Sequence, residues 1–334
     1  MSHGYDSRVT GSRATWRILI PAIVIVSFAM CALPSPAQTS NGNGGEYAWV
    51  NGAHLWYQTK GKGDPVVIIP GGPGDSHIYL TPWFDELAKR YKVIYFDAFG
   101  RGKSDRAKDP SEYTFERDVK DLDGLRKALG IDKWSVIGHS YGGMVAQAYA
   151  IEFPNSVDKL VLSNTFYDAE MWQENNDNSN NEIRNQFPEI WDQLVKLRHD
   201  GFVSSSPECQ RIYGQVPSGL LYFYDPSNAS KVRSDSLSMN PSVYYQLVGA
   251  DGDFLIEGDV GKLDFRNALK SLKMPVLIIA GRFDRVSVPA FSVKFRDYAP
   301  QAKFVMFEKS GHLPFIEETE KYFKTVSDFL KEGK

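Results

Sequence analysis

Two patterns of apolar residues alternate along the chain. Short unbroken runs, VVII at 66–69, VIYF at 93–96, VI at 136–137, LVL at 160–162 and VLIIA at 276–280, each end at Pro, Asp, Gly or Ser and read as strands buried on both faces. Between them YLTPWFDELAKRY (79–91), residues 113–129 and MVAQAYAIEF (144–153) read as helices, the last with Met144, Val145, Ala148 and Ile151 on one apolar stripe. Ahead of the first run, EYAWVNGAHLWYQTKG reads as a hairpin turning at Asn51-Gly52. From about 166 to 264 the alternation stops, Asn and Ser multiply, and segments such as NEIRNQFPEIWDQLVKLRHDGF are helical in period. It resumes with the strand in MPVLIIAGRFD, a helix near 290–298, the strand in AKFVMFE and a last helix over 317–330. Buried strands alternating with helices predict an α/β fold, a mostly parallel sheet with helices on both faces. Residues 46–165 and 265–334 form its core, and 166–264 a helical cap over the carboxyl edge, where sites in such sheets lie.

The N-terminus departs from this pattern. Arg13 and Arg17 precede an apolar run from Ile18 to Leu33, and Ser35 and Ala37 are small residues at −3 and −1 of a cleavage point. That order predicts a secretory signal over 1–37, a linker over 38–45, and a secreted or periplasmic product. Retained, the run would be a membrane anchor only if Pro34 and beyond lay in the interface, since a span needs about 20 apolar residues. Cys31 would take a lipid, although SFAMC matches a lipobox poorly. Once the signal is gone, Cys209 is alone and no intramolecular disulfide can form. A net charge of −3 over 334 residues leaves no basic footprint for nucleic acid.

Candidate chemistry concentrates at GHSYGG, residues 138–143, between a strand and a helix. G-x-S-x-G at such a corner is a nucleophile elbow, which makes Ser140 the candidate nucleophile. A serine needs a base, oriented by an acid. Of six histidines, His312 in EKSGHLPF follows the last strand directly, at the same edge as Ser140; His77 lies near the glycine loop. The acid falls between serine and histidine in chain order. Asp284, ending VLIIAGRFD, is preferred, with Asp168 after KLVLSN as its competitor. The oxyanion hole requires converging backbone N–H groups, assigned to Tyr141 and to Gly72 in the loop PGGPG. The sequence carries no metal-ligand cluster and no phosphate loop, so no cofactor is implied.

GGPG at 71–74, DAFGRGKSD at 97–105, GHSYGG, GRFD at 281–284 and SGH at 310–312 together resemble the α/β-hydrolase superfamily across residues 46–333. Within it the chain is most similar to the proline iminopeptidases. The resemblance implies an acyl-enzyme aminopeptidase acting on small peptides or aminoacyl amides, with a free α-amine held by carboxylates of the cap. Asp253 aligns with one of them. Two residues depart from that family: Pro70 stands where its loop has histidine, and His139 where its elbow has glycine. Without an amine-binding anion the same machinery is a carboxylesterase or lactonase. Epoxide hydrolases and dehalogenases share the architecture but attack with aspartate, which Ser140 argues against. The implied partner is a small molecule or short peptide.

Overall fold

The computed structural model describes residues 44–217 and 219–333. The predicted signal and most of the linker lie outside the described residues. Eight strands form one sheet: β1 (Glu46–Val50), β2 (Ala53–Lys60), β3 (Pro65–Ile69), β4 (Lys92–Phe96), β5 (Trp134–His139), β6 (Val157–Ser163), β7 (Val276–Gly281) and β8 (Lys303–Phe307), in the order β1-β2-β4-β3-β5-β6-β7-β8. The first hairpin turns with φ 45° at Asn51 and 87° at Gly52, and β2 pairs antiparallel with β4. From β4 to β8 every pairing is parallel.

The central runs are continuous because both sides of the sheet are covered. Val67, Ile69, Ile94, Val136, Leu160, Leu162 and Ile278 pack beneath the helices α1 (Phe115–Ala128) and α2 (Tyr141–Glu152). Their neighbours Val66, Ile68, Val93, Tyr95, Ile137, Val161 and Leu277 face Phe315 and the C-terminal helix Thr319–Lys331. Three local readings change. α2 is buried almost all round rather than along one stripe, because α1 and the sheet enclose it. Residues 79–91 form 3₁₀ segments at His77–Leu80 and Trp83–Lys89 separated by Pro82, whose missing N–H cannot continue a helix. The helix near 290–298 is two single turns, Pro289–Ser292 and Phe295–Tyr298.

Between β6 and β7 the chain is helical. The helices α3 (Ala169–Gln186) and α4 (Pro188–His199) break at Phe187, and α5 (Pro207–Tyr213) places Cys209 against Leu194 and Ile212. This insertion is tied to the sheet edge by main-chain bonds: Ser76 N–H to Ser238 O at 2.9 Å, Asn240 N–H to Gly74 O at 2.9 Å and His312 N–H to Tyr222 O at 2.7 Å. Among the described residues no helix is long and apolar enough to cross a membrane.

Candidate active site

The elbow is built by close approach. A Cβ on Gly138 would lie 2.3 Å from Gly142 O, and one on Gly142 would lie 2.3 Å from Ile69 O, so strand, helix and the preceding glycine loop meet with room for hydrogen only. Ser140 takes φ 55° and ψ −128° at this corner, a conformation costing on the order of 1–3 kcal/mol for a side-chain-bearing residue. Ser140 N–H bonds to Ser163 O at 3.0 Å, and Ser140 O accepts Gly143 N–H at 2.8 Å and the Thr165 hydroxyl at 2.6 Å. The corner therefore holds its strain with bonds to the end of the neighbouring strand β6 and to the first turn of α2.

Asp284 and His312 come to the same edge from the ends of β7 and β8. His312 Nδ1–H donates to Asp284 Oδ2 at 2.9 Å, and both side chains are buried. The His312 ring lies 4.9 Å, centroid to centroid, from that of His139, the residue before Ser140. Asp284 accepts four further bonds: Asn164 Nδ2 at 2.9 Å and Ser287 Oγ at 2.5 Å on Oδ2, and the Val286 and Ser287 amides at 2.8 Å on Oδ1. Burial by itself would raise this carboxyl; the His312 charge and these donors outweigh it and hold the group below its ordinary value, ionised. Asp168 is committed elsewhere, capping α3 through Met171 N–H at 2.7 Å and pairing with Arg266 at 2.9 Å. His77 is likewise engaged, with Asp97 at 2.8 Å and stacked on Trp56.

The glycine loop lies directly against the elbow: a Cβ on Gly71 would be 2.9 Å from Ser140 Cβ. Tyr79 Oη takes the Gly71 N–H at 2.8 Å, so Gly71 is spent and Gly72 stays the loop's expected oxyanion donor. A buried ion pair braces the glycine loop and the start of α2. Arg101 forks onto Asp118 at 2.6 and 2.7 Å and donates to Pro73 O at 2.8 Å, while the Tyr141 hydroxyl donates to Asp118 at 2.7 Å. The motif DAFGRGKSD thus supplies the side chain that fixes both the loop and the start of α2.

The family described as alpha/beta hydrolase fold matches residues 64–319. The chain belongs to this hydrolase family. It is 30% identical over 281 residues to a proline iminopeptidase of Heyndrickxia coagulans, covering 82% of this chain and 93% of the relative. A crystal structure of a proline iminopeptidase from Mycobacterium smegmatis superposes with TM-score 0.67 at 22% identity, over 86% of this chain and 97% of that one. A thermophilic esterase from Thermogutta terrifontis superposes with TM-score 0.60 at 23% identity, over 86% and 98%. At these identities the two structures speak to the fold alone.

Two further carboxyls are coupled electrostatically to groups of this site. Asp253, from the insertion, accepts Tyr245 Oη at 2.9 Å, Tyr244 Oη at 3.2 Å and Gln210 Nε2 at 3.4 Å; burial holds it above its ordinary value despite these donors. Asp75 follows the glycine loop. Burial raises it to about 6, and the charges of His312 and Arg101 offset this only in part. Tyr222, whose ring is 5.7 Å from that of His312, lies in the field of both carboxylates and of Asp284. Sequence reasoning passed over Asp75 and Asn164. An acid immediately after PGGPG was the available signal for the first; nothing local marked the second, which reaches Asp284 across 120 positions.

Proposed function

We propose that this chain is a serine hydrolase of proline iminopeptidase type, cleaving small aminoacyl amides or short peptides through an acyl-enzyme. Ser140 attacks the carbonyl and passes its proton to His312; Asp284 holds the imidazole in the tautomer that can accept it. The Gly72 and Tyr141 amides stabilise the oxyanion, His312 protonates the leaving amine, and water releases the acyl group. The observation that carries this reading is the ionised, five-donor Asp284 bonded to His312 Nδ1 at the edge where Ser140 occupies its strained corner. Amide rather than ester specificity is supported by the 30% identical relative and by Asp75 and Asp253, whose carboxylates offer a desolvated ammonium its counter-charge. A carboxylesterase or lactonase is the second reading, favoured by the three donors already spent on Asp253. Action outside the cytoplasm, after removal of residues 1–37, rests on the charged, apolar and small-residue order of the N-terminus, and N-terminal sequencing of the exported chain tests it.

The test is a fluorophosphonate probe followed by paired aminoacyl and acyl arylamides and esters. Wild type labels at Ser140 and Ser140→Ala does not, while remaining folded. Turnover of substrates carrying a free amine over their N-acylated counterparts supports the aminopeptidase, and the reverse preference the esterase. Retained activity in Ser140→Ala overturns the mechanism.

A further inference from the structure

His139 is the elbow residue that the resemblance to proline iminopeptidases leaves unexplained, and it lies at the centre of a buried chain of hydrogen bonds. Gly71 N–H meets Tyr79 Oη at 2.8 Å, Tyr79 Oη meets His139 Nδ1 at 2.8 Å, and His139 Nε2 meets the backbone carbonyl of His312 at 2.9 Å. A carbonyl only accepts, so His139 Nε2 carries hydrogen. Burial followed by the nearby His312 charge pushes the His139 pKa down to about 3, so the ring is neutral and its bare Nδ1 accepts the Tyr79 hydroxyl proton.

We propose that His139 is a positioning residue: with Tyr79 it joins the glycine loop to the main chain of His312, fixing the base and the oxyanion donors relative to Ser140. This rests on the reading of His312 as base. The chain touches all three parts, since Gly71 abuts Ser140 and Ser140 follows His139. It meets the His312 residue at its carbonyl, while the insertion holds the N–H of the same residue through Tyr222 O and Asp284 holds the ring. His312 is thus held at three points by three different parts of the fold. A neutral His139 adds a further advantage: when His312 takes the serine proton, the ring 4.9 Å away does not oppose the new charge.

Fluorophosphonate labelling of Ser140 tests this without needing the natural substrate. His139→Phe keeps the ring that packs edge-on against Phe315 but removes both polar atoms, and labelling should slow about 10- to 100-fold, the scale of a small displacement of reacting groups. His139→Gln, which restores a donor near the Nε2 position, should recover most of that loss. Tyr79→Phe should slow labelling by less, and the Tyr79→Phe/His139→Phe pair should be no slower than His139→Phe alone, since both cut one chain. Labelling of folded His139→Phe at the wild-type rate overturns the inference. So do losses that multiply in the double variant, or a His139→Gln variant as slow as His139→Phe. If His139→Phe does not fold, Tyr79→Phe and His139→Gln decide the matter alone. Wild type that fails to label at Ser140 refutes the proposed function instead, a separate outcome.

Discussion

Replacing Asp284 by asparagine changes one atom, and the surroundings dictate the result. All five groups on this side chain are donors, so the new NH₂ must face some of them whichever way the amide lies. Turned toward the Oδ1 position it meets the Val286 and Ser287 amides, which cannot invert. Turned toward the Oδ2 position it meets His312 Nδ1, Ser287 Oγ and Asn164 Nδ2, of which the first two can become acceptors. The second arrangement therefore wins, and it forces the His312 proton onto Nε2, the atom that accepts from Ser140 in the proposed mechanism. Such a tautomer error is worth about 10⁴ in turnover, or roughly 5.5 kcal/mol of barrier. The assay is the rate of fluorophosphonate labelling beside hydrolysis of an aryl ester, with thermal melting to confirm folding. Activity within tenfold of wild type would refute the reasoning, and a comparable loss in Asp168→Asn would show that the acid lies after β6.

Three other outcomes follow from the same geometry. Asp75→Asn should lower kcat/KM for free-amine substrates about 10- to 100-fold, the worth of one charge-assisted bond, with N-acyl esters as the unaffected control. Arg101→Ala should destabilise the fold by about 3–5 kcal/mol in denaturant titration, because it strands Asp118 without its buried partner; a change below 1 kcal/mol would mean the pair contributes little. His139 stays neutral in the folded state down to about pH 3 but protonates near its ordinary value, about 6.5, when unfolded, so its contribution to stability is present above that pH and is lost on acidification at up to about 1.4 kcal/mol per unit. Asp75, raised to about 6, acts in the opposite sense, its contribution being lost as pH rises through 6. The pH dependence of unfolding should accordingly flatten in His139→Gln when measured in an Asp75→Asn background, and an unchanged slope would contradict the neutral assignment.

The strands were legible because a strand buried on both faces writes itself as an unbroken apolar run, and runs such as 66–69 and 276–280 have no other use for that composition. His312 and Asp284 could be picked out for a related reason: each follows such a run closely, and the ends of parallel strands share an edge. Periodicity failed where burial has no direction. α2 has small or apolar residues on every side, so any stripe drawn through Met144 and Ile151 was arbitrary. It failed again at 79–91, where Pro82 outweighs good helix formers on either side. Asn164, Tyr79 and Arg101 were illegible because their parts depend on partners distant in sequence: one side chain reaching Asp284, one joining Gly71 to His139, and one bracing Pro73. The engagement of Asp253 was illegible for the same reason, since it rests on the hydroxyls of Tyr244 and Tyr245.

Glu317 gathers the amides of Tyr224, Asp225 and Gly311 and the side chain of Asn228, at 2.6 to 3.2 Å. Together with the bond from His312 N–H to Tyr222 O, this moors the loop that carries the general-base candidate to the 222–228 segment of the insertion. Any displacement of that segment pulls on the main chain of His312, so a change in the insertion can reach the imidazole without touching it. A chimera that exchanges the insertion would consequently have to keep the 222–228 moorings along with the new specificity.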